Sequence, residues 1–278
     1  MRKVVDEAKL ILIAIPVLIW TLLPIYHLFV LSISKQEAML AGQVWPDEPT
    51  LQNFQIVFNQ QHYYLNNFWL QMGNSFIVAL ATGAITLFVA TLAAFAISRL
   101  KVKGGRTVMN LALATYLIPA AFLAIPMYKA IGTYGLLNTR TALILAMVAL
   151  ATPYAIWVLK QASDKLPMEL DEAAIMDGAS SLQLFRLVYL PLMKPSMVVI
   201  GIYALLLAWN EYLYAFLLLS SERAVPLAVG LGLFLSADDA PWNLLMAAGL
   251  LYAIPPAVIY YGFRKNMVTG LTAGSVKS

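Results

Sequence analysis

Apolar residues arrive in this chain in long blocks, and the charges are confined to the short stretches between them. A hydrocarbon core about 30 Å thick is crossed by roughly 20 residues of helix, so each block predicts one membrane-spanning helix. Six can be drawn, at 10–31, 73–98, 107–129, 142–160, 195–219 and 244–263. The expected fold class is all-α: a polytopic membrane protein with six transmembrane helices, forming one domain over 1–278. Three polar stretches stand out between and after the spans: an outer segment at 32–72, a loop at 160–194 and a tail at 264–278.

Composition agrees with the pattern, for 61% of residues are hydrophobic, 12% are charged and the mean hydropathy is +0.77. A soluble domain carries about twice that share of charge. The 18 basic residues are spread among loops and not clustered with exposed aromatics, which argues against a nucleic-acid partner despite a pI near 9.1. Fourteen of those 18 fall in the N-terminus, the 99–106 loop, the 160–194 loop and the tail. The positive-inside rule therefore expects both termini and these loops in the cytoplasm. The first span follows Arg2, Lys3 and Lys9 as a signal peptide would, but its apolar run is too long, and an uncleaved anchor is expected. With no cysteine there is neither a disulfide nor thiolate chemistry.

The longest polar interruption between the inner spans, Asp164 to Lys194, has a structure of its own. Pro167 stands where a first-turn proline belongs, and Glu169, Asp171 and Glu172 place negative charge at the positive end of a helix dipole. Asp177-Gly178 reads as a stop. Ser180 with Gln183 three residues on is a capping-box start, and Leu182, Phe185 and Tyr189 share a face of a second helix that is expected to end at Leu190-Pro191. Helix, glycine turn and helix make a compact knob that another protein could receive in a cleft.

Glu172-Ala173-Ala174, Asp177-Gly178-Ala179, Leu190-Pro191-Leu192 and Pro195, at these separations, resemble the EAA loop of permease subunits of bacterial ABC importers. Val188 is a conservative departure, standing where the family more often has isoleucine. The resemblance implies a type I ABC importer permease fold, with Glu172, Ala173, Ala174, Asp177, Gly178 and Ala179 seated in a groove of a cytoplasmic ATPase dimer. It also implies a second permease subunit, a periplasmic solute-binding protein, and ATP with magnesium bound by the ATPase partner, leaving no cofactor in this chain. The C-terminal run Gly270, Leu271, Thr272, Ala273 and Gly274 resembles the tail of carbohydrate-type permeases of the maltose-transporter kind, where it reaches toward the ATPase; Ser275 departs slightly from that pattern. Trp209-Asn210-Glu211 and Thr50-Leu51-Gln52-Asn53-Phe54 fit the same branch, so the resemblance covers nearly the whole chain and implies the shorter subunit of a heterodimer importing a sugar or polyol across the inner membrane by alternating access.

Other features bear on the pathway. The outer segment carries Tyr63, Tyr64 and Trp69 and predicts a short interfacial helix, read as an anchor or as a docking point for the binding protein. Thr82, Thr86, Ala90 and Ala94 form a small-residue stripe that lets another helix approach. Pro119, Pro126, Pro153 and Pro255-Pro256 remove backbone donors within spans and predict bends. Glu211 is the one ionisable residue well inside a predicted span, about 24 Å along the helix from Pro195. Either Asn210, Glu211 and Tyr212 face the solute pathway or a gate, or Glu211 is satisfied inside the bundle.

Absences narrow the function. There is no phosphate-binding loop, because Gly104-Gly105-Arg106 lacks the lysine and hydroxyl that hold phosphate and magnesium, so this chain is expected to be a transporter subunit and not the ATPase. His27 and His62 are far apart and have no metal-ligand spacing. An importer permease for amino acids or peptides would share the 172–195 loop but not the tail. An ion-coupled carrier would be expected to bury several acids and to show matching helix breaks in two halves.

Overall fold

The first apolar block forms α1, Arg2–Ser32, and most of its side chains from Leu12 to Phe29 are exposed. In a chain of this composition, exposed leucine, isoleucine and tryptophan on a long helix suit lipid and neighbouring helices. The computed structural model describes residues 2–37, 42–236 and 240–272, with side chains described at 12–37, 42–236 and 240–264. In chain order α1 is followed by α2 (Gln52–Phe58), α3 (Phe68–Ser98), α4 (Gly105–Ala114), α5 (Ala120–Thr133), α6 (Arg140–Asp164), α7 (Glu169–Met176), α8 (Ser181–Trp209), α9 (Leu213–Leu218), α10 (Leu227–Gly232) and α11 (Trp242–Thr272). No strand occurs among the described residues.

Among the described residues five helices are long and apolar enough to cross a membrane, and a sixth span results if α4 and α5 are taken together. That pair sharpens the bend expected of Pro119 in the 107–129 span into a break, since the two helices meet at 109° at Ile118 and Pro119. Pro119 lacks the N–H a continuing helix needs, and its ring pushes Ile118 into extended backbone. The hydroxyl of Tyr214 donates to the carbonyl of Ala120 at 2.7 Å and helps to satisfy the bend. Pro126 and Pro153, by contrast, lie inside continuous helices.

The chain divides into two compact units. The first comprises 1–68 and 230–255. Its polar centre is Asn53, whose Nδ2 donates to the carbonyls of Ser32 and Ser34 at 2.8 Å and whose Oδ1 accepts from Asn243 Nδ2 at 2.9 Å. An asparagine bonded three ways ties the end of α1, the start of α2 and the start of α11. His62 lies in ring contact with Phe234, 6.1 Å between centroids, and does not belong to any cluster of metal-ligating groups among the described residues.

The second unit, 69–229 and 256–278, holds the helices that build the site. Thr82, Thr86, Ala90 and Ala94 are all fully buried, as the small-residue stripe predicts. Beside them, a Cβ added to Gly83 would sit 3.3 Å from the carbonyl oxygen of Gly201, so α3 and α8 cross backbone to backbone. At one end of this unit the Asn74 side chain donates to the carbonyls of Arg223 and Val225 and accepts from Arg140 at 3.1 Å, closing the loops over the helix ends.

Candidate functional site

The hairpin at 169–189 is built from local signals. Its first helix, α7, begins at Glu169 with Met168 as N-cap, so Pro167 precedes the helix and does not occupy its first turn. Glu169, Asp171 and Glu172 fill that turn. At the far end Gly178 has φ +83° and donates to Ile175, while Ala179 donates to Ala174, which is the paired closure of a Schellman motif. A Cβ on Gly178 would meet nothing within 4 Å, so glycine is required there by backbone conformation and not by space. Ser180 then opens the next helix with the reciprocal bonds of a capping box: its hydroxyl accepts from Gln183 N–H, and Gln183 Oε1 accepts from Ser180 N–H at 2.8 Å.

This second limb does not stop at Leu190-Pro191 as the sequence suggests. It continues as α8 to Trp209 through a π segment, Leu184–Tyr189, in which Leu190 N–H donates to Phe185. Pro191 has no N–H to give to Leu187 in the α register, and one wider turn relocates the hydrogen bonds around that gap. The hairpin therefore runs directly into a membrane-length helix with no flexible joint between them.

One face of the hairpin is open. Glu172, Ala173, Asp177 and Gly178 are exposed, Ala174 and Ala179 are half-buried, and Met176 at 86% exposure stands at the apex. The opposite face is held by a residue that sequence reading counted only as a loop charge. The Arg99 side chain is 3% exposed, and its guanidinium lies 3.2 Å from the buried carboxylate of Asp171. It also donates to the carbonyls of Ser163 and Leu166 at 3.1 Å and to Met168 Sδ. Beside it the hydroxyls of Ser98 and Ser163 are 2.5 Å apart, and Lys160 pairs with Asp164. On the second limb, the Phe95 ring packs edge-on to Phe185 and Tyr189 at 5.0 and 4.9 Å. A signal for Arg99 did exist: it is the first cation after a span whose last turns present Ala90, Ala94 and Ser98 on one stripe.

The second candidate region corrects the expected 195–219 helix. The helix ends at Trp209, Asn210 and Glu211 leave the helical path, and the short α9 follows. The Asn210 amide folds back on the Leu206 carbonyl at 2.9 Å, and Tyr212 stacks on Phe216. Glu211 accepts from Tyr214 N–H at 2.7 Å, which caps α9, and it also lines a cavity of about 350 Å³ with Thr115, Tyr116, Tyr203 and Met127. Of Asn210, Glu211 and Tyr212, then, only Glu211 lines the cavity. Tyr116, whose hydroxyl donates to the Leu150 carbonyl, and Tyr203 were not singled out from sequence, because their meeting depends on the bend at Pro119. Gly270, Leu271 and Thr272 lie in the last turn of the described part of α11, where side chains are outside the described residues, and Gly274 is outside them altogether.

Residues 86–272 match the family described as binding-protein-dependent transport system inner membrane component. The chain is 33% identical over 262 residues to the inner membrane ABC transporter permease protein YcjP of Escherichia coli, covering 94% of this chain and 92% of that protein. It is 31% identical to the trehalose/maltose transport system permease protein MalG of Thermococcus litoralis, over 99% of both chains, and 30% identical to the trehalose transport system permease protein SugB of Mycobacterium tuberculosis, over 93% of both. In fold it resembles a chain of a bacterial ABC transporter involved in the import of the acidic polysaccharide alginate, with a TM-score of 0.78, 24% identity and coverage of 95% and 96%. The bent and continuous spans and the capped hairpin are therefore those of an importer permease, and the chain belongs to the family of binding-protein-dependent transport system inner membrane components.

Proposed function

We propose that this permease subunit imports a sugar or a sugar-derived oligosaccharide, paired with a second permease subunit and driven by an ATPase dimer that receives the hairpin at 169–179. The carbohydrate class is supported by relatives named for trehalose and maltose that match along nearly the whole chain. The observation that carries the coupling reading is the hairpin itself: an exposed face of Glu172, Ala173, Asp177 and Gly178, rigidly closed at Gly178 and continuous with a membrane-length helix. Small exposed residues at a fixed turn admit close approach by a partner, and continuity with α8 carries displacement into the bundle.

In this reading both termini and the hairpin are cytoplasmic, as the distribution of Lys and Arg favours. ATP and magnesium belong to the partner ATPase, and the tail from Gly270 makes a second contact with it. A periplasmic binding protein delivers the solute from the opposite side; a related structure is described as an alginate transporter in complex with an alginate pentasaccharide-bound periplasmic protein. Glu211, which lines the 350 Å³ cavity together with Tyr116 and Tyr203, would accept from sugar hydroxyls in this reading.

The test is uptake in vesicles holding the full complex with its binding protein. ATP-dependent accumulation of a disaccharide or oligosaccharide is expected, together with its loss when the ATPase is inactivated. Accumulation that survives ATPase inactivation would sink the coupling reading, and uptake of amino acids or peptides in place of sugars would sink the carbohydrate assignment.

A further inference from the structure

We propose that Arg99 is a positioning residue that locks α7 to the ends of α3 and α6, so that displacement of the hairpin reaches these spans as a movement of one rigid body. The proposal rests on the coupling role given to the hairpin above and adds the element that makes it stiff.

Three segments meet at one guanidinium. Arg99 leaves the end of α3; Ser163 lies in the last turn of α6, with Leu166 just beyond it; Asp171 is in the first turn of α7 and Met168 is its N-cap. The two carbonyl bonds, both 3.1 Å, fix the plane of the guanidinium against the end of α6, and α7 is held to that plane by the hydrogen bond to Met168 Sδ and by the 3.2 Å ion pair with Asp171, a charge contact and not a hydrogen bond. A planar fork of donors can satisfy three partners in set directions, which an ammonium on a flexible stem cannot. The Ser98 and Ser163 hydroxyls add a direct contact between α3 and α6 beside it.

The second limb is held independently. Phe95, one turn before Arg99, packs against Phe185 and Tyr189, and these belong to the cluster that includes Ala90, Ala155, Leu159 and Met193. One limb is thus clamped by charge and the other by aromatic packing, both from the last turns of α3. A buried ion pair is a weak source of net stability compared with apolar residues of similar volume. What the pair adds is a penalty on separation, because parting the groups would strand two buried charges, while the bonds to Ser163, Leu166 and Met168 supply the direction.

A chain without cysteine allows spin labels to be placed at chosen sites. Labels at Leu92 on α3 and Glu169 on α7, both exposed, report the distance across the clamp in the assembled transporter. The expected result is one narrow distance distribution, identical in the nucleotide-free and ATP-trapped states. In Arg99→Gln and in the nearly isosteric Asp171→Asn the distribution should broaden, and the solute moved per ATP hydrolysed should fall about fivefold while hydrolysis continues. Arg99→Lys, which keeps the charge but not the fork, should fall between.

A distance that changes between states in the native protein would overturn the proposal. Native distributions and a native transport ratio in both Arg99→Gln and Asp171→Asn would do so as well, as would failure of both variants to assemble, which would make the pair structural only. Cross-linking from Met176 to the ATPase judges the coupling reading separately, since its absence would remove the docking site and leave the distance measurement across the clamp standing.

Discussion

The polar site at the hairpin and the one at the break after Trp209, both in the 69–229 region, are built in opposite ways. At the hairpin, Arg99 ties the end of α3 to groups at the end of α6 and the start of α7, and the neighbouring limb is packed by aromatic rings. At the break after Trp209, Glu211 is met by the backbone N–H groups of Tyr214 and Leu213, both in its own chain segment, and it also lines a cavity. The first arrangement resists any relative motion of its parts. The second leaves a carboxylate oriented by its own loop, in a position where a ligand or a neighbouring helix can reach it. Under the proposed function this is a sensible division, with stiffness where the ATPase would push and bonding capacity where a solute would pass.

The contrast is broken most severely by removing the guanidinium. Arg99→Ala leaves Asp171 as an unpaired buried charge, and a loss of about 3–5 kcal/mol in stability is expected, read as an earlier thermal unfolding transition of the purified complex in detergent. Arg99→Ala with Asp171→Ala should recover a large part of that loss, because the stranded charge is gone. If the double variant is as unstable as the sum of the singles, the two residues do not act as a pair.

Next in size is Gly178. At φ +83° a β-branched residue is strained by about 1–2 kcal/mol, so Gly178→Val should lower the stability of the chain by that order. Because open space surrounds the position, the strain is conformational and no packing loss adds to it. Gly178→Asp, milder in backbone terms, instead places a charge on the exposed face and should reduce ATP-driven uptake while membrane insertion stays native. Native uptake by this variant would show that the docking face lies elsewhere.

Ser180→Ala should cost about 1 kcal/mol, since it removes the acceptor for Gln183 N–H and leaves half of the capping box. The loss is local to the start of α8, and the clamp at Arg99 is expected to hold the hairpin in place, so thermal stability falls slightly and the transport ratio does not.

These sites differ also in how far the sequence discloses them. The turn at Gly178 and the box at Ser180 and Gln183 each rest on residues within five positions of one another, and short-range chemistry writes them directly into the chain. The six apolar blocks are legible for the same reason, as is the buried stripe from Thr82 to Ala94. What the sequence conceals are outcomes of competition. Pro119 breaks its span and Pro153 does not, because α6 continues past its proline whereas Ile118 is extended and the Ala120 carbonyl is taken by Tyr214, a residue 94 positions away. Pro191 reads as a stop, yet a π turn absorbs it. Arg99 reads as a topogenic charge because its partners lie more than 60 residues along the chain.

The smallest structural effect is expected from Glu211→Gln, and for that reason it is the sharpest test of the second site. Glutamine keeps an oxygen that can accept from Tyr214 N–H, so the cap of α9 survives and stability should stay within about 0.5 kcal/mol of the native chain. What changes is the free charge toward the cavity lined by Tyr116 and Tyr203. A carboxylate accepts hydroxyl bonds more strongly than an amide does, so a solute rich in hydroxyls should be bound less well. The expected signature is a raised half-saturation concentration for uptake, with assembly and binding-protein-stimulated ATP hydrolysis unchanged. Loss of assembly with normal uptake per remaining complex would reverse the assignment and make Glu211 a cap that happens to border a cavity.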